Sequence, residues 1–295
     1  MPATSASILR RCLSAFGSMM HKYTFSEHGT KNSKSYRMFI HSSNGPVSPF
    51  HDIPLYFDAQ KKVFNMLIEI PRWTNAKMEI CKEEYMNPIK QDIKNNQLRY
   101  VNNIFPHKGY MWNYGALPQT WEDPSHVDSN THAKGDNDPI DACEIGSKVL
   151  PRGSVVPVKV LGILAMIDEG ETDWKVLTIS IDDPLAEKLN DIGDVEKHIP
   201  GFLKVYKVPT GKPENSFAFD GEFKDKAFAY NVIEQTHEQW RSLISGKSKS
   251  EKIACPFLVS KEDFKAELLK LPPCKAEEPV TDPAVDQWHF YNPNA

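Results

Sequence analysis

The chain has no apolar run that approaches the length of a membrane span. Its richest stretch, Val155 to Ile167, is interrupted by Lys159 and Gly162. It also has no basic excess. A net charge of −4 argues against nucleic acid as the partner. The five cysteines (Cys12, Cys81, Cys143, Cys255 and Cys274) are odd in number, scattered, and without a C-x-x-C pair. They read as reduced thiols in an intracellular compartment rather than as a disulfide or zinc framework. Several catalytic patterns are missing too. His237-Glu238 has no second histidine at zincin spacing, and Gly246-Lys247-Ser248 lacks the upstream glycine of a phosphate-binding loop. No Gly-x-Ser-x-Gly elbow occurs, so nucleophilic serine or cysteine chemistry has no support.

What is present is acid in an unusual place. Gly135-Asp136-Asn137-Asp138-Pro139-Ile140-Asp141 carries three carboxylates framed by a glycine and a proline. In an extended segment Asp136 and Asp138 point the same way, and Pro139 keeps Asp138 out of helical geometry. Like charges this close are tolerable only when a cation neutralises them or some are protonated. Mg²⁺ is held by a few carboxylates plus waters and substrate phosphates, so the motif reads as a Mg²⁺ site for a phosphorylated substrate or as a solvated acidic loop. An EF-hand is excluded, because Asp141 stands where glycine is needed and Ser147 where glutamate is needed.

The 22 prolines predict many turns and little helix. Strands are expected over Val63–Ile70, Lys77–Ile80, Leu98–Val101, residues 155–167 and Trp174–Ile181, with Asp168–Asp173 as a polar turn. Asp183-Pro184 predicts a capped helix over Leu185–Asn190, and Lys226 to Leu243 a longer one. Ser260-x-x-Asp263 resembles a capping box opening a third. Short strands followed by helices suggest an α+β, mainly β fold around a compact barrel.

A second polar cluster falls at strand ends. A tight hairpin would bring Asp168 and Asp173 together, and Lys175 shares a face with Asp173 by period two. The same alternation joins Lys77 to Glu79, with Glu69 on the strand before. Tyr110 and Tyr114 flank an aromatic turn, and Tyr206-Lys207 precedes another. Each has an ordinary reading as solvated strand or packing, but the joint set suits a polyanion held by cations, Lys/Arg and phenol donors. At the N-terminus, residues 1–26 carry Arg10, Arg11, Lys22 and serines but no acid. That composition predicts a mitochondrial transit segment, or else a disordered cytoplasmic extension before a second start at Met19 or Met20.

On these motifs the chain resembles the soluble inorganic pyrophosphatases of the eukaryotic family I type. The resemblance spans roughly 35–245 and rests on Gly135–Asp141, Glu69–Glu79, Gly109–Gly115, Asp168–Lys175 and Tyr206-Lys207, in the family order. It implies a five-stranded, OB-like closed β-barrel with flanking helices. Residues 27–271 would form a single domain and 272–295 a tail. It implies hydrolysis of pyrophosphate to two phosphates with three to four Mg²⁺, other divalent cations being possible. Asp136, Asp141 and Asp173 would bind the tightest metal, with Asp141 shared by the second. Glu79, Asp168 and Asp173 would serve metals arriving with substrate. Asp138 would accept the proton of the attacking water and Glu69 would order its surroundings. Lys77, Arg99, Tyr110, Tyr114, Lys175, Tyr206 and Lys207 would meet the phosphates. A homodimer is implied, with Arg72, Trp73 and Trp288 at its interface. One departure stands out. Only Phe202–Val205 separate Pro200-Gly201 from Tyr206-Lys207, where relatives carry a longer insert; this could misplace both residues.

A non-enzymatic scaffold, an OB-type nucleic-acid module and a broader metal phosphoesterase are the rival readings. The nucleic-acid reading needs a basic groove lined by stacking aromatics, whereas this mouth is acidic without metal.

Overall fold

The structure is a computed structural model that describes residues 23–195, 216–250, 252–254, 261–275 and 282–290. Tyr206, Lys207, the shortened 202–205 segment, Ser260 and residues 1–22 lie outside the described residues.

Strand β1 (Val63–Ile70) is buried at every position, Asn65 and Glu69 included. A strand with no solvent face must be covered on both sides, and this one sits at the centre of the sheet. It pairs antiparallel with β2 (Asn113–Ala116) on one side. β3 (Asp141–Glu144) then pairs antiparallel with β2. On its other side β1 pairs with β4 (Val155–Asp168). β5 (Glu171–Ser180) pairs antiparallel with β4 and parallel with β3. Each of these five strands is thus bonded to two others in one circuit. A smaller sheet, ordered Thr24–His28, Arg37–Ser42, Ile89–Gln91 and Met78–Ile80, lies beside it.

Alternation along β5 divides the core. Leu177 and Ile179 join Leu67, Tyr114 and Leu164 in a cluster that also takes Met38, Ile40, Met78, Ile80 and Ile89 from the smaller sheet. Trp174 and Val176 face the other way, with Ile163 and Ala165, against Ala229, Val232 and Ile233 of helix α1 (Lys226–Ile244). Asp225 caps that helix, its side chain accepting from Phe228 N at 2.8 Å. Helix α2 (Lys261–Leu268) buries Phe264 and Leu268 against Phe39 and Met86. The chain is mainly β with few helices.

Several expectations need correction. Leu185–Asn190 forms turns rather than a helix. Asp183 does cap, accepting from Leu185 N at 2.9 Å, but the run is too short to repay helix nucleation, and Asp191 opens a new capped 3₁₀ turn at Ile192. Of the expected Leu98–Val101 strand, Leu98 pairs with Ile93 in a short hairpin and Tyr100 makes a single antiparallel bridge to Ala76, so the segment divides its pairing between two neighbours, with Arg99 N donating to Asp92 O and Lys77 N to Arg99 O. The polar turn is only Glu169-Gly170, both at positive φ, the two-residue hairpin geometry that matches strand twist. Asp168 therefore faces Glu171, and Asp173 faces Met166, so the two aspartates are not direct partners. They remain on one side of the ribbon by period two.

The first and last described segments are fastened to this frame. Thr24–Ser26 lie in the first strand of the smaller sheet. Trp288–His289 pairs parallel with Asn103–Ile104, and Cys274 N donates to Glu27 O.

The β1–β2 register shifts between Tyr114 and Gly115, where the backbones approach so closely that a Cβ on Gly115 would lie 1.8 Å from Leu67 O. Gly115→Ala should therefore lower stability by about 1–3 kcal/mol, the usual cost of overpacking. Urea unfolding measures it, and an unchanged midpoint would show that the two strands can move apart freely.

Candidate active site

A cleft of about 220 Å³ opens where β1, β2, β3 and β5 meet Met78–Ile80. Every predicted site residue within the described residues lines it. Glu69, Lys77, Glu79 and Arg99 form one side, Tyr110 and Tyr114 the floor, and Asp136, Asp138, Asp141, Asp168, Asp173 and Lys175 the rest.

The acidic loop is shaped by its backbone. Gly135 is pressed against Glu122, whose carbonyl carbon would be 2.3 Å from a Cβ. Asn137 takes φ 71°, so the segment is not extended as its alternation suggested. Asn137 N donates to Glu122 O at 2.9 Å and Glu122 N to Asp138 O at 2.8 Å, which pins the loop to the Trp121–Asp123 segment. Asp136 Oδ1 accepts from Asp138 N at 2.9 Å. Ile140 is buried, and β3 begins at Asp141.

Cations are interleaved with the acids. Lys175, only 4% exposed, donates to Asp173 Oδ1 at 2.5 Å, to Tyr114 OH at 2.8 Å, and to Asp141. Tyr114 OH donates to Asp141 as well. Lys77 bonds Glu79 at 2.7 Å and approaches Asp92 at 3.5 Å, and Arg99 also pairs with Asp92. Glu69 is buried and accepts from Ile80 N at 2.7 Å. The rings of Tyr110 and Tyr114 are 4.8 Å apart.

Burial pushes the Glu69 carboxyl well up, and Asp141 adds to it. Burial does the same to Asp136, reinforced by Asp138 and Asp173. Asp173 rises to about 7 for the same reason, with Lys175 pulling the other way. Glu79 is raised by burial and restrained by Lys77. These groups crowd negative charge that their neighbours only partly balance.

Three residues escaped sequence reading. Lys82 pairs with Asp138. Its odd offset from Lys77 and Glu79 breaks their period of two, so no strand pattern marks it. Asp92, the shared partner of Lys77 and Arg99, carries no sequence signal. Glu122 groups with Asp136 and Asp173, one carboxylate oxygen from each lying within 4.8 Å of the others. Glu122 Oε1 accepts from Trp174 N at 3.1 Å, while its buried Oε2 has no hydrogen-bond partner among the described residues. A buried orphan oxygen beside two further carboxylates fits a cation.

A mainly β domain with a carboxylate-lined, lysine-braced cleft is the class that fold and site define. A family model described as inorganic pyrophosphatase matches residues 66–241. The inorganic pyrophosphatase of Bos taurus is 52% identical over 292 residues, covering 93% of this chain and 100% of that protein. Inorganic pyrophosphatase 2, mitochondrial, of Mus musculus is 50% identical over 303 residues, covering 92% of each. The structure of inorganic pyrophosphatase from Schistosoma japonicum superposes with a TM-score of 0.84 at 60% identity, covering 91% of this chain and 100% of that one. The chain belongs to the inorganic pyrophosphatase family. Among the described residues, no helix is long and apolar enough to cross a membrane.

The raised Asp173 carboxyl has a thermodynamic consequence. In the unfolded chain it ionises near 3.8 and in the folded protein only near 7, so folding is penalised increasingly as pH rises through that window. In metal-free protein, Asp173→Asn should gain stability relative to the parent between pH 4 and 7, with no gain below pH 4. Urea unfolding in chelator across that range is the check; a pH-independent difference would contradict it.

Proposed function

We propose that the chain hydrolyses inorganic pyrophosphate to two phosphates in a Mg²⁺-dependent reaction. The observation that carries this reading is the convergence of Asp136, Asp141 and Asp173 with Lys77, Arg99 and Lys175 on one small cleft. Pyrophosphate is a compact polyanion, and a site for it must supply positive charge to its oxygens while admitting a nucleophile that carries negative charge itself.

Asp136, Asp141 and Asp173 would hold the most tightly bound Mg²⁺, and Glu79, Asp168 and Asp173 the ions that enter with substrate, three to four in all. Bound Mg²⁺ supplies charge neutralisation and acidifies water. Lys77, Arg99 and Lys175 grip phosphate oxygens and stabilise charge that grows on the leaving phosphate. Tyr114 OH, raised well beyond its ordinary range by burial and by Asp141, stays protonated and donates. Tyr110 is pushed up by burial and lies beside it. Tyr206 and Lys207 belong to this group by motif. Asp138, paired with the Lys82 ammonium, takes the proton of the attacking water at its carboxylate. Glu69, anchored by Ile80 N, orders neighbouring water.

The circuit of five paired strands is read as an OB-like closed barrel whose mouth is this cleft. A homodimer is proposed through the exposed aromatics. Trp73, 54% exposed, stacks on Arg72, with the guanidinium carbon 5.4 Å from the ring centroid. Trp288 and Phe290 gather around Phe105, with centroids 6.3 and 5.4 Å from it. Exposed apolar patches of this kind mark association surfaces. Carboxylates that can gather cations, with Lys77, Arg99 and Lys175 beside them, support pyrophosphate as the partner, and the net charge of −4 offers no basic excess for nucleic acid or an anionic membrane. The acid-free N-terminus supports a mitochondrial or cytoplasmic location.

Purified protein should release phosphate from pyrophosphate with Mg²⁺ and not with chelator. Asp138→Ala should slow it by on the order of 10² to 10⁴, the range for a lost general base. Release that survives both chelator and the substitution would reject the mechanism. Sedimentation should give twice the 33.5 kDa chain mass, and Trp288→Ala should weaken the dimer. A monomeric parent would remove the dimer proposal.

A further inference from the structure

We propose that Glu122 is a positioning residue of the cation site, accepting through Oε2 a hydrogen bond from a water that a bound cation carries. This rests on the reading of Asp136 and Asp173 as cation ligands.

Glu122 is only 3% exposed and does not line the cleft; it stands behind Asp136 and Asp173. Its two oxygens have different fates. Oε1 is satisfied by Trp174 N at 3.1 Å, which fixes the side chain against β5. Oε2 is buried and has no hydrogen-bond partner among the described residues. A buried carboxylate oxygen left without a donor is costly, and such an atom calls for a water or ion that completes it. The carboxyl offers an oxygen no more than 4.8 Å from ligand oxygens of both Asp136 and Asp173, within the span that a cation and one water of its shell can bridge.

The backbone is built to keep this oxygen there. Glu122 N and O bond Asp138 O and Asn137 N, so the residue moves with the acidic loop and not independently of it. Gly135 admits the approach, because any side chain there would strike the Glu122 backbone. The same loop that presents Asp136 thus also sets the distance to Glu122. Groups that orient a metal's ligands and waters change metal affinity by about 10- to 100-fold when removed.

The test is calorimetric titration of metal-free protein with Mg²⁺, comparing the parent, Glu122→Gln and Asp173→Asn. Glutamine keeps the shape and an acceptor for Trp174 N but removes the charge. The expected result is a Kd about 10- to 100-fold weaker for Glu122→Gln, with near-ultraviolet circular dichroism unchanged. A parent-like Kd in Glu122→Gln, with Asp173→Asn strongly weakened, would overturn the role of Glu122 and leave the cation site standing. A parent that binds no Mg²⁺ would instead reject the functional reading itself, and the inference with it. Should Glu122→Gln fold poorly, Glu122→Asp with Mn²⁺ and water-proton relaxation supplies the second measurement. Faster exchange of the bound water is expected, and an unchanged rate would sink the proposal.

Discussion

Mutual repulsion among carboxylates in one small cleft is the constraint around which the rest of the molecule is arranged. Carboxylate oxygens of Glu122, Asp136 and Asp173 lie no more than 4.8 Å apart, and two like charges at that limit repel by roughly 3.5 kcal/mol even at an effective dielectric constant near 20. The opposition comes from Lys175, two residues from Asp173 on the same strand face, from Lys82 just after the smaller sheet, and from a backbone ladder that holds the loop to Glu122. Side chains alone could rotate away from one another. They are kept together because Gly135, Asn137 and Glu122 fix the main chain on which they stand.

The frame that resists this repulsion is apolar and continuous. β1 carries Glu69 at its end after a run buried on both faces, so the carboxylate is delivered on a segment that cannot shift without exposing core. β5 does the same for Asp173 and Lys175, with Trp174 and Val176 locked against α1 on the opposite face. The charged rim and the hydrophobic core are therefore successive residues of the same strands. Period-two alternation separates them without any dedicated scaffold.

That alternation also explains how much of the fold and the cleft is legible in the amino-acid sequence. β1, β4, β5 and α1 follow from long patterned runs, and the residues on those runs stand to one another as the pattern requires: Asp173 beside Lys175, Lys77 beside Glu79. Legibility fails where geometry depends on a partner far along the chain. The 98–101 segment is patterned as one strand but divides its pairing between Ile93 and Ala76. The 185–190 segment has a helix start and too little length to use it. The Asp168–Asp173 turn contracts to two residues because Glu169 and Gly170 both adopt positive φ, which moves the register by a pair. Lys82, Asp92 and Glu122 stay hidden because nothing in a one-dimensional pattern reports that a side chain ends next to Asp138, Lys77 or Asp136.

The parallel pairing of Trp288–His289 with Asn103–Ile104 ties the cleft to a distant part of the chain. Asn103 Oδ1 accepts from Gly109 N at 2.9 Å and from Asn75 Nδ2 at 2.7 Å, so one amide braces both the turn that leads to Tyr110 and the approach to Lys77. The strand that receives Trp288–His289 therefore holds the same residue that steadies the tyrosine turn, so a disturbance at the far end of the described chain has a route of one amide to the rim of the cleft.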